Sequence, residues 1–225
     1  MVKVKVLEQV AKANDQIALQ NRQLLDGTRT LAVNLMASPG AGKTSLVMRT
    51  IEALRGRLRV GAIEGDTASQ VDADRVATTG VPVVQINTGG GCRLDANMVR
   101  PALHELPLDE IDLLLIENVG NLVCPAGLAL GEHLNVVISS IPEGDDKPYK
   151  YPGIFTVVDA VVINKTDLLP YLEFDLPTFR QLIAGLNPHA CFFQISCKTG
   201  EGISQWAQWL ADKFAAGARS TAGDV

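Results

Sequence analysis

The chain has 225 residues, 47 % of them hydrophobic, which is enough to bury the core of one α/β domain, and no domain boundary is visible. A formal charge of −5 and a pI of about 5.2 argue against general affinity for nucleic acid or an anionic membrane surface, since both depend on excess Lys and Arg. Charges and amides interrupt the opening stretch "MVKVKVLEQVAKANDQIALQ", so neither a signal peptide nor a spanning helix is expected and a cytoplasmic protein is. Four cysteines at irregular positions suit reduced thiols, some of them candidate ligands, better than a disulfide framework.

Val6, Val10, Ile17 and Leu24 recur at roughly helical intervals and stop before Asp26-Gly27, which predicts an amphipathic helix over 1–27 packed on the domain. Residues 28–215 read as the domain itself, and 216–225 as a disordered tail. Within the domain, "LAVNLM", "LRVGAI", "VPVVQIN", "IDLLLIEN", "LNVVISS", "AVVIN" and "ACFFQIS" alternate with helical patterns. Several of these runs are apolar at consecutive positions, as strands covered on both faces are. The expected fold is a doubly wound, mostly parallel α/β sheet flanked by helices, with ligands beyond the carboxyl ends of its strands.

"ASPGAGKTSL", residues 37–46, follows the first run and opens a helix. In a phosphate loop, backbone N–H groups curl round phosphate oxygens at a helix N-terminus, and Pro39, Gly40, Ala41, Gly42, Lys43, Thr44 and Ser45 fit that role. Ala37 stands where the pattern has its first glycine. Lys43 would neutralise the β- and γ-phosphates and the Thr44 hydroxyl would bind Mg²⁺. Ser38 replaces the second lysine of ParA- and MinD-like loops, which weakens that neighbouring reading. "NKTD", after the run "AVVI", offers Asp167 to the N1–H and exocyclic amine of guanine, Lys165 to lie along the base and Asn164 to brace the loop. Adenine lacks that donor pair and would leave the carboxylate unpaired, so GTP is favoured over ATP. Ser196, Cys197 and Lys198 resemble a loop that closes over the base. Asp66 and Glu117, at strand ends, are candidate Mg²⁺ ligands, with a helix N-cap as the other reading of Asp66. Gly120 is placed to sense the γ-phosphate, and Asp66 to orient the attacking water.

Together "ASPGAGKTS", "EGD", "GCRLDANMVRPAL", "IENVGNLVCP", "EGDDKPYKYPGIF", "NKTDLLPYLEFD" and "TGEG" resemble the HypB family, GTPases that assist nickel insertion during [NiFe]-hydrogenase maturation. The resemblance runs from about Leu31 to the last helix. It implies a SIMIBI-class G-domain, slow GTP hydrolysis, Mg²⁺, and a homodimer favoured by nucleotide. It also implies a Ni²⁺ or Zn²⁺ site near the switch regions, a HypA-like metallochaperone as partner, and the hydrogenase large-subunit precursor as client. Two departures stand out. No Cys or His precedes Cys92, so the N-terminal metal store of some members is not expected here. The family's G-domain Cys-His pair reads Cys92-Arg93 in this chain, with the later cysteine at Cys124.

Cys92 and Cys124 lie 32 residues apart and would share one rim of a doubly wound sheet. Two thiolates leave a tetrahedral site open, so a second copy, or Asp95 or His104, would have to complete it for Ni²⁺ or Zn²⁺. Arg93 cannot ligate and repels a dication, though it favours thiolate at Cys92. A scaffold gated by GTP, its metal site weakened by Arg93, is therefore the rival reading. A urease-type nickel chaperone is opposed by Cys124-Pro125-Ala126 in place of Cys-Pro-His, and an ATP-dependent kinase by "NKTD". Cys191 is expected to be buried and inert, Cys197 to pack, and His133 and His189 to be solvated.

Overall fold

The computed structural model describes the backbone of residues 6–220 and the side chains of residues 11–217. The elements are α1 (Val6–Gly27), β1 (Leu31–Ala37), α2 (Lys43–Leu54), β2 (Val60–Asp66), α3 (Val71–Ala77), β3 (Val83–Asn87), α4 (Ala96–Glu105), β4 (Leu113–Glu117) and β5 (Leu134–Ser140), followed by α5 (Lys147–Lys150), α6 (Pro152–Phe155), β6 (Ala160–Asn164), α7 (Leu176–Leu186), β7 (Cys191–Gln194) and α8 (Ile203–Ser220). All seven strands form one sheet in the order β3-β2-β4-β1-β5-β6-β7, and every pairing is parallel. Each apolar run noted in the sequence became a strand.

Alternation along the strands sorts side chains to the two faces. Val33, Leu35, Leu113, Leu115, Val136 and Val162 enter a core closed by Leu46 and Val47 of α2 and by Trp206 and Leu210 of α8. Trp206 Nε1 donates to Thr50 Oγ1 at 2.8 Å, which satisfies the indole inside that layer. On the opposite face, Ala32, Ile63, Leu114 and Ile116 pack with Leu25 of α1 and Val99 and Leu103 of α4. Met36, Val137 and Ile163 pack there with Phe155 and Phe179. Between those two clusters the middle of β1 carries a polar residue, Asn34, fully buried. Its Nδ2 donates to Asn135 Oδ1 at 2.9 Å, and its Oδ1 accepts from Asn118 Nδ2 at 3.2 Å.

Helix α1 docks through amides as much as through apolar surface. Asn14 Nδ2 donates to Ala129 O at 2.8 Å while its Oδ1 accepts the Ala96 N–H at 2.9 Å. Asn21 Nδ2 donates to Ala96 O and Leu130 O at 2.9 and 2.8 Å. The helix presses so closely that a Cβ on Gly131 would sit 2.5 Å from Asn21 Cβ. Val6 and Val10, two of the residues that set its expected apolar stripe, have side chains outside the described residues. Helix α8 continues to Ser220, so residues 216–220, expected in a disordered tail, are helical; residues 221–225 lie outside the described residues.

His133 departs from its expected solvated role. Its Nδ1 accepts the Ala32 N–H at 3.0 Å and its Nε2 lies 2.8 Å from Asp26 Oδ1. The ring therefore ties the end of α1 to β1, and burial holds it below the ordinary histidine value against the upward pull of Asp26. His189 is exposed, as expected.

Candidate nucleotide and metal site

The carboxyl ends of β1, β2, β4 and β6 carry the functional candidates. Between β1 and α2 the backbone turns through Gly40 at φ +77° and Gly42 at φ +101°, conformations that side chains other than glycine adopt only with strain. Gly42 has a second reason: a Cβ there would meet Asn164 Nδ2 at 2.4 Å. Ala37 still lies in β1, paired in register with Ile138 and without positive φ, so a methyl group is tolerated where the pattern has glycine. Lys43 and Thr44 open α2 and are each only 8 % exposed. A buried ammonium at a helix N-terminus is costly unless an anion joins it, which is what a phosphate supplies.

The "NKTD" segment is fastened directly to the phosphate loop. Asn164 Nδ2 donates to Ala41 O at 2.9 Å, and Lys165 Nζ donates to Gly40 O at 2.7 Å. Lys165 adopts φ +62°, rare for a side-chain-bearing residue. Asn164 Oδ1 accepts the N–H groups of Lys165 and Cys197 at 2.8 and 3.1 Å, joining the loop after β6 to the loop after β7. Ser196 Oγ donates to Asp167 Oδ1 at 2.6 Å, which orients the carboxylate expected to read guanine. Arg49 of α2 donates to the carbonyls of Cys197 and Lys198 at 2.7 and 3.3 Å. Burial pushes the Cys197 thiol up to about 11, so it packs rather than reacts.

At the strand ends on the α2 face, the register places Glu64 of β2 beside Glu117 of β4. Glu64 is 3 % and Glu117 5 % exposed. Thr44 Oγ1 donates to Glu117 Oε1 at 3.0 Å, while Glu117 Oε2 and Glu64 Oε1 are buried without a hydrogen-bond partner. Burial first, then the facing Glu117 carboxylate, pushes Glu64 up to about 10. Burial likewise raises Glu117 against the lowering pull of Glu64, Lys43 and Thr44. Two orphaned carboxylate oxygens beside the Thr44 hydroxyl are a donor set that fits a hard divalent cation, whose charge would remove the cost of ionising both.

Asp66 sits at the tip of β2 and folds back on its own loop, where Oδ1 accepts the N–H groups of Ala68 and Ser69 at 2.9 and 2.7 Å. Those bonds hold its carboxyl below the ordinary aspartate value. It does not cap α3, whose N-cap is Gln70. Gly120 touches the phosphate loop: a Cβ there would lie 3.1 Å from Pro39 Cα. That contact puts the segment after β4 against the loop itself.

The loops of the two cysteines adjoin, and the Cys92 thiol, with burial second, raises the Cys124 thiol above its ordinary value. Cys92 is exposed and Cys124 half-buried. Arg93 Nη1 donates to the Cys124 carbonyl at 3.0 Å, drawing the two loops together. The proposed third ligands are elsewhere. Asp95 accepts the Met98 N–H at 2.8 Å as the N-cap of α4. His104 lies in the last turn of the same helix, about 13 Å further along its axis. Among the described residues no group of three or more His, Cys, Asp or Glu gathers in a form that would hold a metal ion.

Two elements of the site were not anticipated. Glu64 was overlooked within "EGD", although a carboxylate among the apolar residues of a fully covered strand was itself the signal. Asn118 follows Glu117 directly, and only the fold reveals what it holds.

A parallel sheet with a phosphate loop after its central strand, and a base-recognition loop braced to it, defines a P-loop GTPase of the SIMIBI type. Residues 31–194 match the family described as CobW/HypB/UreG, nucleotide-binding domain. The hydrogenase maturation factor HypB of Azotobacter vinelandii is 46 % identical over 207 residues, covering 92 % of this chain and 68 % of that one. The crystal structure of HypB from Archaeoglobus fulgidus superposes with a TM-score of 0.85 at 40 % identity, covering 90 % of this chain and 99 % of that one. HypB from Helicobacter pylori, solved in complex with nickel, superposes with a TM-score of 0.87 at 35 % identity, covering 91 % and 96 %. The chain belongs to the HypB hydrogenase maturation factors within the CobW/HypB/UreG family. Among the described residues no helix is long and apolar enough to cross a membrane.

Proposed function

We propose that the chain hydrolyses GTP slowly and acts as a cytoplasmic metallochaperone for nickel insertion into a [NiFe]-hydrogenase precursor, with nucleotide state coupled to dimerisation and to metal held by Cys92 and Cys124. The observation that carries this reading is the thiol pair. Segments 32 positions apart are drawn together by the bond from Arg93 to the Cys124 carbonyl, Cys92 lying in the loop after β3 and Cys124 in the loop that follows Glu117 of β4. The nickel complex of the Helicobacter pylori relative lends it support. Two thiolates supply half of a four-coordinate site, so a second copy of the chain supplies the other half, and S₄ coordination suits Ni²⁺ or Zn²⁺.

For hydrolysis, Thr44, Glu117 and Asp66 would hold Mg²⁺, directly or through water, and the ion would supply charge neutralisation at the phosphates. The remaining work falls to side chains and backbone. Lys43 faces the β- and γ-phosphates, the glycine turn presents its N–H groups, and the N–H of Gly120 reports the γ-phosphate. Asp66, kept ionised by its backbone hydrogen bonds, accepts a proton of the attacking water. Neither a switch glutamine nor an arginine finger is assignable, so turnover is slow. Asp167 selects guanine. A HypA-like metallochaperone and the large-subunit precursor are the partners.

Titrating Ni²⁺ and Zn²⁺ into the reduced protein with GDP, and with a non-hydrolysable GTP analogue, tests the reading. Thiolate-to-metal absorption and native mass together should report metal bound per dimer, lost in Cys92→Ala. Absence of binding in both nucleotide states would overturn it. The second reading, a GTP-gated scaffold whose metal site is weakened, is favoured by one observation: the position after Cys92 holds a guanidinium bound to the Cys124 carbonyl instead of a third ligand.

A further inference from the structure

Between the two carboxylate-bearing strands and the cysteines stands a buried leucine. Leu94, two residues after Cys92, is fully buried and is gripped at both ends. Its N–H donates to Asn118 Oδ1 at 2.9 Å. Its side chain fills the space over Gly65, where a Cβ would lie 2.8 Å from Leu94 Cγ and Cδ1. Gly65 separates Glu64 from Asp66, and Asn118 separates Glu117 from Val119 and Gly120. One residue of the cysteine loop is thus clamped to the tips of both β2 and β4.

Asn118 is in turn fixed. The same Oδ1 accepts the Val119 N–H at 3.0 Å, and its Nδ2 donates to Asn34 Oδ1 at 3.2 Å. Asn34 reaches Asn135 at 2.9 Å, and the Asn135 N–H donates to Asp159 Oδ2 at 2.7 Å. This row of amides crosses β4, β1 and β5 and gives Asn118 a rigid seat. A buried amide with every group paired has few alternative arrangements, because each lost bond would leave a polar atom without water. When the segment from Glu117 to Gly120 changes position against the phosphate loop, Leu94 must follow or leave its N–H unpaired. Arg93, between Leu94 and Cys92, carries the displacement to the Cys124 carbonyl.

We propose that Asn118 and Leu94 form a latch that transmits nucleotide state from the tips of β2 and β4 to the Cys92–Cys124 pair. Both are positioning residues, and neither is a ligand. The latch rests on the reading of the site as nucleotide-responsive and metal-binding, and it names the path by which the one property governs the other.

The test uses the full chain, wild type and with Asn118→Ala, Leu94→Ala and Leu94→Met. Two quantities are measured with GDP and with a non-hydrolysable GTP analogue: the alkylation rate of Cys92 by iodoacetamide, followed by mass spectrometry, and the Ni²⁺ affinity. In the wild type each should differ by about fivefold or more between nucleotide states, the usual scale of coupling between sites. In Asn118→Ala and Leu94→Ala both ratios should fall to within about twofold of one, while GDP affinity stays within about threefold of wild type. Leu94→Met, which refills the space over Gly65, should restore the ratios. Leu94→Ala retains every hydrogen bond, so it carries the test if Asn118→Ala does not fold. Ratios unchanged in both alanine variants would overturn the latch, as would a wild type that binds Ni²⁺ with no response to nucleotide in either measurement. A wild type that binds no Ni²⁺, yet shows nucleotide-dependent alkylation lost in the alanine variants, would uphold the latch and defeat the metallochaperone reading.

Discussion

The nucleotide end and the cysteine rim lie at the same edge of one sheet and are built by opposite means. The phosphate loop, the loop after β6 and the loop after β7 are cross-braced by backbone acceptors: Asn164 on Ala41, Lys165 on Gly40, and Arg49 on Cys197 and Lys198. Between its two loops the cysteine rim is held by one guanidinium on one carbonyl and by the Leu94 contact, its other bonds, such as Cys124 N–H to Asn121 Oδ1 and Thr88 Oγ1 to the Gly91 carbonyl, staying within one loop. Bracing of the first kind prearranges donors around a ligand that is bound in every state of a GTPase. The looser rim suits a site whose geometry has to change with nucleotide.

The comparison breaks most sharply at Gly42. Gly42→Ala places a methyl group 2.4 Å from Asn164 Nδ2 at a φ of +101°, so GDP affinity measured by calorimetry should fall by about 100-fold or more. The equivalent change at Gly90, also strained by a φ of +95° but with nothing within 4 Å of a Cβ, burdens the cysteine loop and should leave GDP affinity unchanged. Next in size is Asp167→Asn, which removes the acceptor for two guanine donors and should cost about 100-fold in GDP affinity, with little loss of stability.

A smaller effect sharpens the electrostatics between the two regions. Glu64 is raised to about 10 from an ordinary 4.5, so the fold favours its protonated form. Without nucleotide and with metal chelated, that contribution is complete below pH 4.5 and is lost as pH rises toward 10. Thermal unfolding of Glu64→Gln under those conditions should therefore show a flatter decline with rising pH than wild type. Added Mg²⁺ should narrow the gap by replacing the proton.

The smallest effect lies away from both regions, at His133. Its folded value is lowered by burial, so its contribution is complete above the ordinary 6.5 and is lost as pH falls through that value toward the folded one. Protonation at Nδ1 would cost the bond from the Ala32 N–H. His133→Gln should remove this acid-side slope from urea unfolding curves while leaving GDP binding unchanged.

The seven strands were legible because covered parallel strands must be apolar on both faces, and their runs have no competing helical reading of sufficient length. The phosphate loop and "NKTD" were legible because glycine turns and a base-reading carboxylate are local devices. Glu64 escaped notice because its importance arises from a neighbour 53 positions away, set beside it by strand register. His133 was misjudged because turn-like neighbours in the chain say nothing about the helix end, Asp26, that packs over it.

Order along the chain thus determined the class of sheet and the place of the phosphate loop, since each depends on residues close in sequence whose spacing is itself the mechanism. Tertiary structure alone decided which carboxylates face each other, which polar residues bridge strands through the core, and that Arg93 joins the loop of Cys92 to the carbonyl of Cys124. Those outcomes turn on register and loop docking between segments far apart in the chain, and burial then gives each such contact its energy.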